Sequence, residues 1–244
     1  MEKEKIIKMI RENPFTIKNI DNPTDEMKIA ALEINGLLLK YINEPTKEME
    51  TIALNNNIRA IEFIKNPAED VQLKAVKAGW SNLLYIKNPT DTVIKSAIMQ
   101  RGWAIQYIEN PSEEIQLLAV EKDYDSIKFI KNPSKKTELT AIKENELAIN
   151  FINDLNKDKL LEFLKVNIMV IKHISDKIPA YEATEVIKQV ISKEDVEQKY
   201  VRDFLNCSAI GKNRDINIDK IIFIYNYGSS KAKKIAVDEK LKMI

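Results

Sequence analysis

Six prolines, at positions 23, 45, 67, 89, 111 and 133, are separated by 22 residues each time. A spacing held that strictly means that the chain is built from copies of one supersecondary unit, and one copy cannot bury its own apolar face. Two adjacent copies run NPSEEIQLLAVEKDYDSIKFIK from Asn110 to Lys131 and NPSKKTELTAIKENELAINFIN from Asn132 to Asn153. In the units that begin at Asn22, Glu44, Asn66, Asn88, Asn110 and Asn132, the proline is followed by Thr24, Thr46, Ala68, Thr90, Ser112 and Ser134. Five of these six side chains can accept a hydrogen bond from an orphan N–H at a helix start. Acids follow in the first turn, among them Asp25, Glu26, Glu48, Glu69, Asp70, Asp91, Glu113 and Glu114, facing the positive end of the helix dipole. The residue before a proline is pushed out of the right-handed α region. Each Asn-Pro-Thr/Ser therefore stops one helix and starts the next.

The first helix of a unit spans about ten residues, judged from its apolar positions. The sixth place holds Met27, Met49, Val71, Val93 and Ile115; the tenth holds Ala31, Ala53, Ala75, Ala97, Ala119 and Ala141; the eleventh is Leu, Val or Ile throughout. An alanine at the same place in all six units implies close backbone approach between rungs, which a larger side chain would force apart. The second element is about seven residues, α or 3-10. It carries an apolar eighteenth place, then an aromatic ladder (Tyr41, Phe63, Tyr85, Tyr107, Phe129, Phe151), each ring followed by Ile. A strand is rejected because strict alternation and a Gly-rich turn are both missing. Units of this kind stack at roughly 8–10 Å per layer.

This pattern of Asn-Pro-Ser/Thr-x-Glu, Ala-Val/Leu and a short second helix resembles the leucine-rich-variant repeat, a relative in shape of HEAT and armadillo arrays. The likeness covers Asn22 to Asn153. It implies an all-α fold, a right-handed α-solenoid in which an α-helix pairs with a shorter, often 3-10, element. The period is a little short for that family, and its Cys-rich cluster is missing. The chain is also similar to uncharacterised Asn-Pro helical repeats of bacteriophage and mobile-element proteins, which implies an origin of that kind.

Residues 1–21 fit the register as an N-terminal capping unit, with Ile7, Met9 and Ile10 on the first helix face and Ile17 and Ile20 on the second. Residues 154–175 fit as a degenerate seventh unit, with Phe163 in the alanine place and His173 in the aromatic place. The solenoid thus covers 1–175. Beyond it, 176–244 forms a helical cap or a small effector domain. Pro179 opens a helix to about Ile191, and Ser192 with Asp195 suggests a capped start for a helix with the stripe Val196, Tyr200, Phe204 and Leu205. Asn206 to Ile218 is a connection, and DKIIFIYNY (219–227) is helix or strand. Gly228 ends it, and Ser229 or Ser230 caps a last basic helix to about Met243.

The chemistry-bearing residues are few. With 38 basic and 37 acidic residues in 244, nothing marks a dedicated nucleic-acid binder. The single cysteine, Cys207, rules out an intramolecular disulfide and suits a reducing, cytoplasmic setting. The N-terminal residues do not read as a signal peptide. One histidine and one cysteine cannot supply a zinc site, and a lone His173 reads as a packed ring. Asp154/Asn156/Asp158 and Asp215/Asn217/Asp219 have the opening spacing of a calcium loop but lack its sixth-place Gly and twelfth-place Glu. Gly211-Lys212 stands without the rest of a phosphate loop. No cofactor and no catalytic constellation is implied.

What remains is surface. The aromatic ladder reads as core or inter-repeat packing, with base stacking as the alternative. The turn between the two helices varies while the frame stays fixed, and it holds Trp80, Trp103 and Tyr124. Large aromatics on a polar edge suit interface anchors, with Arg59, Lys77 and Arg101 as a mildly basic rim; the opposing reading folds both tryptophans over a neighbouring helix. The expected function is a non-enzymatic scaffold that docks a protein partner or ribonucleoprotein complex, in a phage version an inhibitor of a host complex. Nucleic acid bound in a basic groove is the alternative, and a carboxylate enzyme has no sequence support. No stretch approaches the length of apolar sequence that a membrane span needs.

Overall fold

A computed structural model describes residues 2–241, all of them helical or connecting apart from one isolated bridge between Ile210 and Ile216. The protein is all-α. It divides into two compact units, Met1–Glu109 and Asn110–Ile244.

The first unit is five α/3-10 pairs: α1 (Glu2–Glu12) with η1 (Pro14–Asn19), α2 (Asp25–Ile34) with η2 (Gly36–Tyr41), α3 (Lys47–Asn56) with η3 (Ile58–Phe63), α4 (Glu69–Ala78) with η4 (Trp80–Tyr85), and α5 (Asp91–Gln100) with η5 (Gly102–Tyr107). α1 packs on α2, α2 on α3 and α4 on α5, while α4 meets the preceding pair through η3; each 3-10 helix contacts the next, forming a row beside the α-helices. The short second element is 3-10 in every pair, which settles the choice that sequence left open.

The alanines explain the stacking. Ala31, Ala53, Ala75 and Ala97 are all completely buried in this unit, as are Ala119 and Ala141 in the other. The backbones also come close at Gly36, where an added Cβ would fall onto the Ala53 carbonyl of the next pair. Capping at the α-helix starts is less complete than expected. Thr46, Thr90, Ser112 and Ser134 accept from the N–H three residues on, but Thr24 makes no such bond. A second cap is invisible to a search for helix starts. Asn13, Asn35, Asn57, Asn145 and Asn167 each accept from the N–H two residues on and so start the 3-10 helices. In the first pair, Ile10 and Ile17 are buried as expected, while Met9 is 47% exposed and is not part of the core face.

The second unit continues the pattern through α6 (Glu113–Lys122), η6 (Tyr124–Phe129), α7 (Lys135–Glu144), η7 (Glu146–Phe151), α8 (Lys157–Val166) and η8 (Ile168–Val170). It then changes to α9 (Ile171–Ile174), α10 (Ala180–Ile191), α11 (Gln198–Asn206), α12 (Lys220–Tyr227) and α13 (Ser230–Leu241). Phe163 is buried at the alanine place because α10, not another repeat helix, packs against α8.

Two features of this region correct the sequence reading or complete it. The helix expected to start at Ser192 begins later. Ser192 is still in right-handed helical conformation as the C-cap of α10, so it cannot act as an N-cap, and Glu197 precedes α11 instead. The 219–227 segment is helical, with Phe223 and Ile224 buried and the Phe223 ring 5.9 Å from Phe204. Ser229 Oγ accepts from Ala232 N and starts α13. The end of that helix expected near Met243 lies outside the described residues.

Buried polar groups hold these helices together. The Tyr200 hydroxyl donates to the Leu164 carbonyl at 2.9 Å, satisfying an orphan acceptor at the end of α8. Burial pushes the Tyr200 phenol well above its ordinary pKa. Tyr200→Phe strands that carbonyl and should cost about 1–3 kcal/mol, read as a lower urea midpoint at unchanged slope. Lys220 Nζ donates to the Leu205 and Cys207 carbonyls at 2.9 and 2.7 Å, closing the end of α11. Desolvation lowers its pKa.

Candidate functional site

The residues that carry chemistry elsewhere are quiet in this fold. Cys207 is fully buried behind α11, and His173 sits half-buried in α9. Among the described residues no group of three or more His, Cys, Asp or Glu side chains is placed to hold a metal. None of the described helices is long and apolar enough to cross a membrane.

The surface of the 3-10 row in the first unit is different. A 3-10 helix has three residues per turn, so places 18 and 21 lie one above the other and face inward. Leu39, Ile61, Leu83 and Ile105 at the first, and Ile42, Ile64 and Ile86 at the second, are buried. The aromatic at place 20 falls at the edge of that face. Tyr41 is 41% exposed, and Phe63, Tyr85 and Tyr107 are half-buried. The ladder packs between repeats but is not core.

Its rings are covered by side chains from the preceding element. Lys18 of η1 lies over Tyr41 of η2, 4.2 Å from the ring centre. Arg59 of η3 lies over Tyr85 of η4 at 5.6 Å. Trp80 of η4 stacks on Tyr107 of η5, with centroids 6.0 Å apart and planes 24° from parallel. Lys40 adds a second ammonium over Tyr41 at 4.8 Å. Hydrogen bonds from Lys18 and Lys40 lower the pKa of the Tyr41 phenol. In the second unit Lys128 repeats the motif over Phe129 and Phe151, at 5.1 and 5.6 Å.

The candidate residues separate on this geometry. Trp80 and Arg59 each lie over a ring of the next 3-10 helix, Tyr107 and Tyr85. Trp103 is half-buried on η5 with the Arg101 guanidinium 4.6 Å over its ring, and Gln106 Nε2 donates to its carbonyl at 3.0 Å. Lys77 is exposed in the last turn of α4. Tyr124 opens η6 in the second unit and is half-buried there. Lys18 and Lys40 were not among the candidates drawn from the sequence, and they join Tyr41 of the aromatic ladder in the densest cation–ring cluster of the row. Their signal was present: a Lys immediately before the aromatic of η2, and another one repeat earlier.

One departure from the repeat begins at η4. The asparagine that caps the other 3-10 helices is replaced by Gly79 before η4, Arg101 before η5 and Asp123 before η6, and none of the three makes a side-chain cap. Trp80 follows Gly79 directly, and Trp103 stands two residues after Arg101. Other contacts stand in for the cap there: Asn82 Nδ2 donates to the Ala75 carbonyl at 2.9 Å, and Arg101 lies over the Trp103 ring.

Fold and surface together define a class: an all-α protein of stacked α/3-10 pairs with a cation-dressed aromatic row along its 3-10 face. Compared with protein-family models, curated proteins and solved structures, the chain matches none.

Proposed function

We propose that this chain is a non-enzymatic scaffold that docks a protein partner along the 3-10 face of its first unit. The observation that carries the reading is the row of partly exposed rings on the 3-10 face, Tyr41, Tyr85 and Trp103, each with a basic side chain over it. Half-exposed Trp, Tyr and Arg on a rigid frame are the residue types that dominate interface energetics. A rigid row also loses little side-chain entropy on binding.

The test is capture of a partner from lysate of the native host by tagged full-length protein, with and without nuclease. Trp103→Ala should reduce recovery about tenfold, matching the 1–2 kcal/mol or more lost with an interface anchor. Trp80→Ala is a weaker probe because it also unstacks Tyr107. A nucleic-acid reading has one specific support, the lysines dressing the rings. It predicts capture that nuclease abolishes and that falls steeply with salt.

A further inference from the structure

Lys18 and Lys40 bring two ammonium groups to one face of η2, over the same Tyr41 ring. Neither pairs with a carboxylate among the described residues, whereas many other lysines of the protein do. Arg59, two elements along, is likewise without a carboxylate partner there and lies over Tyr85. An open cleft of about 440 Å³ adjoins the Tyr41 end, lined by Lys18, Lys28, Tyr41 and the amides of Asn22 and Asn43. Lys28 is already paired with Asp25 at 3.2 Å, and Asp21 also borders the cleft. The row therefore offers uncompensated cations at intervals, with apolar ring surface between them.

Charge balance decides which anion fits. The first unit has as many acidic as basic residues, and in sequence Asp21, Glu44 and Glu62 follow closely on Lys18, Lys40 and Arg59. A continuous polyphosphate backbone seated in the cleft would meet the Asp21 carboxylate that borders it. A polypeptide can space its carboxylates to miss Asp21, and its apolar side chains can lie on the rings. We infer that the 3-10 face of the first unit binds an extended acidic polypeptide segment, whose carboxylates pair with Lys18, Lys40 and Arg59. This inference rests on the docking function proposed above and names the chemistry of the partner.

The probe is a fluorescently labelled peptide of alternating glutamate and leucine, titrated with the full chain and followed by anisotropy. An oligothymidylate of equal net charge is run beside it. Lys18→Ala/Lys40→Ala is the test variant. Lys47→Ala, on the exposed side of α3, is the charge control, and melting curves confirm that both variants fold. The expected result is saturable peptide binding, weakened at least tenfold in the double variant and unchanged in the control. Absence of peptide binding, or equal loss in both variants, overturns the inference. So does tighter binding of the oligothymidylate through the same lysines, which would make the ligand a nucleic acid. If Trp103→Ala abolishes partner capture while peptide binding is absent, the docking function stands and the acidic segment alone is refuted. If the peptide binds through Lys18 and Lys40 while partner capture ignores Trp103, the acidic site stands and the tryptophan edge is refuted.

Discussion

Ala97→Phe will lower the melting temperature of the protein by roughly 2–12 °C, the shift that corresponds to about 1–3 kcal/mol of overpacking in a chain of this size. Ala97 is completely buried on α5, at the place that is alanine in every regular repeat. The helices of adjacent pairs meet there, and the added ring has no void to enter. Because repeat arrays are stabilised mainly by neighbour contacts, the damage should be local. Hydrogen exchange should accelerate first in α4, η4 and α5 and little in α1. Met99→Phe is the matched control: Met99 is 57% exposed on the same helix, and the larger ring there should leave the melt unchanged. If Ala97→Phe melts like the wild type, the alanines are not where the rungs meet.

The second large effect runs against the repeat consensus. Phe163 occupies the alanine place of the seventh pair, so a consensus argument would replace it with alanine to stabilise the protein. The structure predicts the opposite. Phe163 is 1% exposed and fills the space between α8 and its neighbours, where α10 has replaced the next repeat. Phe163→Ala leaves a cavity and should cost about 3–5 kcal/mol, measured by urea unfolding. Phe163→Leu should cost less, since more of the volume is retained. A neutral or stabilising Phe163→Ala would mean that α10 closes up against α8 as a regular repeat would.

The architecture was legible because its determinants are local and repeated. The 22-residue proline spacing and the tenth-place alanine state the fold six times over, and the structure places the α-helices where they indicate. Three features were not legible, each for a physical reason. An Asn that caps a 3-10 helix is also a common turn residue, so Asn35 or Asn57 carries no distinct signature without coordinates. Ser192 has the composition of an N-cap, but α10 extends through it, and backbone conformation overrides side-chain chemistry there. The aromatic ladder resembled core because isoleucine follows every ring. A three-residue turn sends that isoleucine inward and leaves the ring at the edge, a distinction that depends on helix type. The tryptophan edge was visible as composition; the cation–ring pairing from one repeat to the next required the fold, because Lys18 and Tyr41 are 23 residues apart.

The central claim is that the 3-10 face of the first unit, and not the α face, meets the partner. Site-specific photocrosslinking in cells tests it most directly. A photoreactive residue is placed at Trp103 on the 3-10 face in one variant and at Lys47, an exposed position on α3, in another. A discrete, nuclease-resistant adduct is expected from position 103 and none from position 47. An adduct from 47 alone, or adducts of nucleic acid from 103, would contradict the claim.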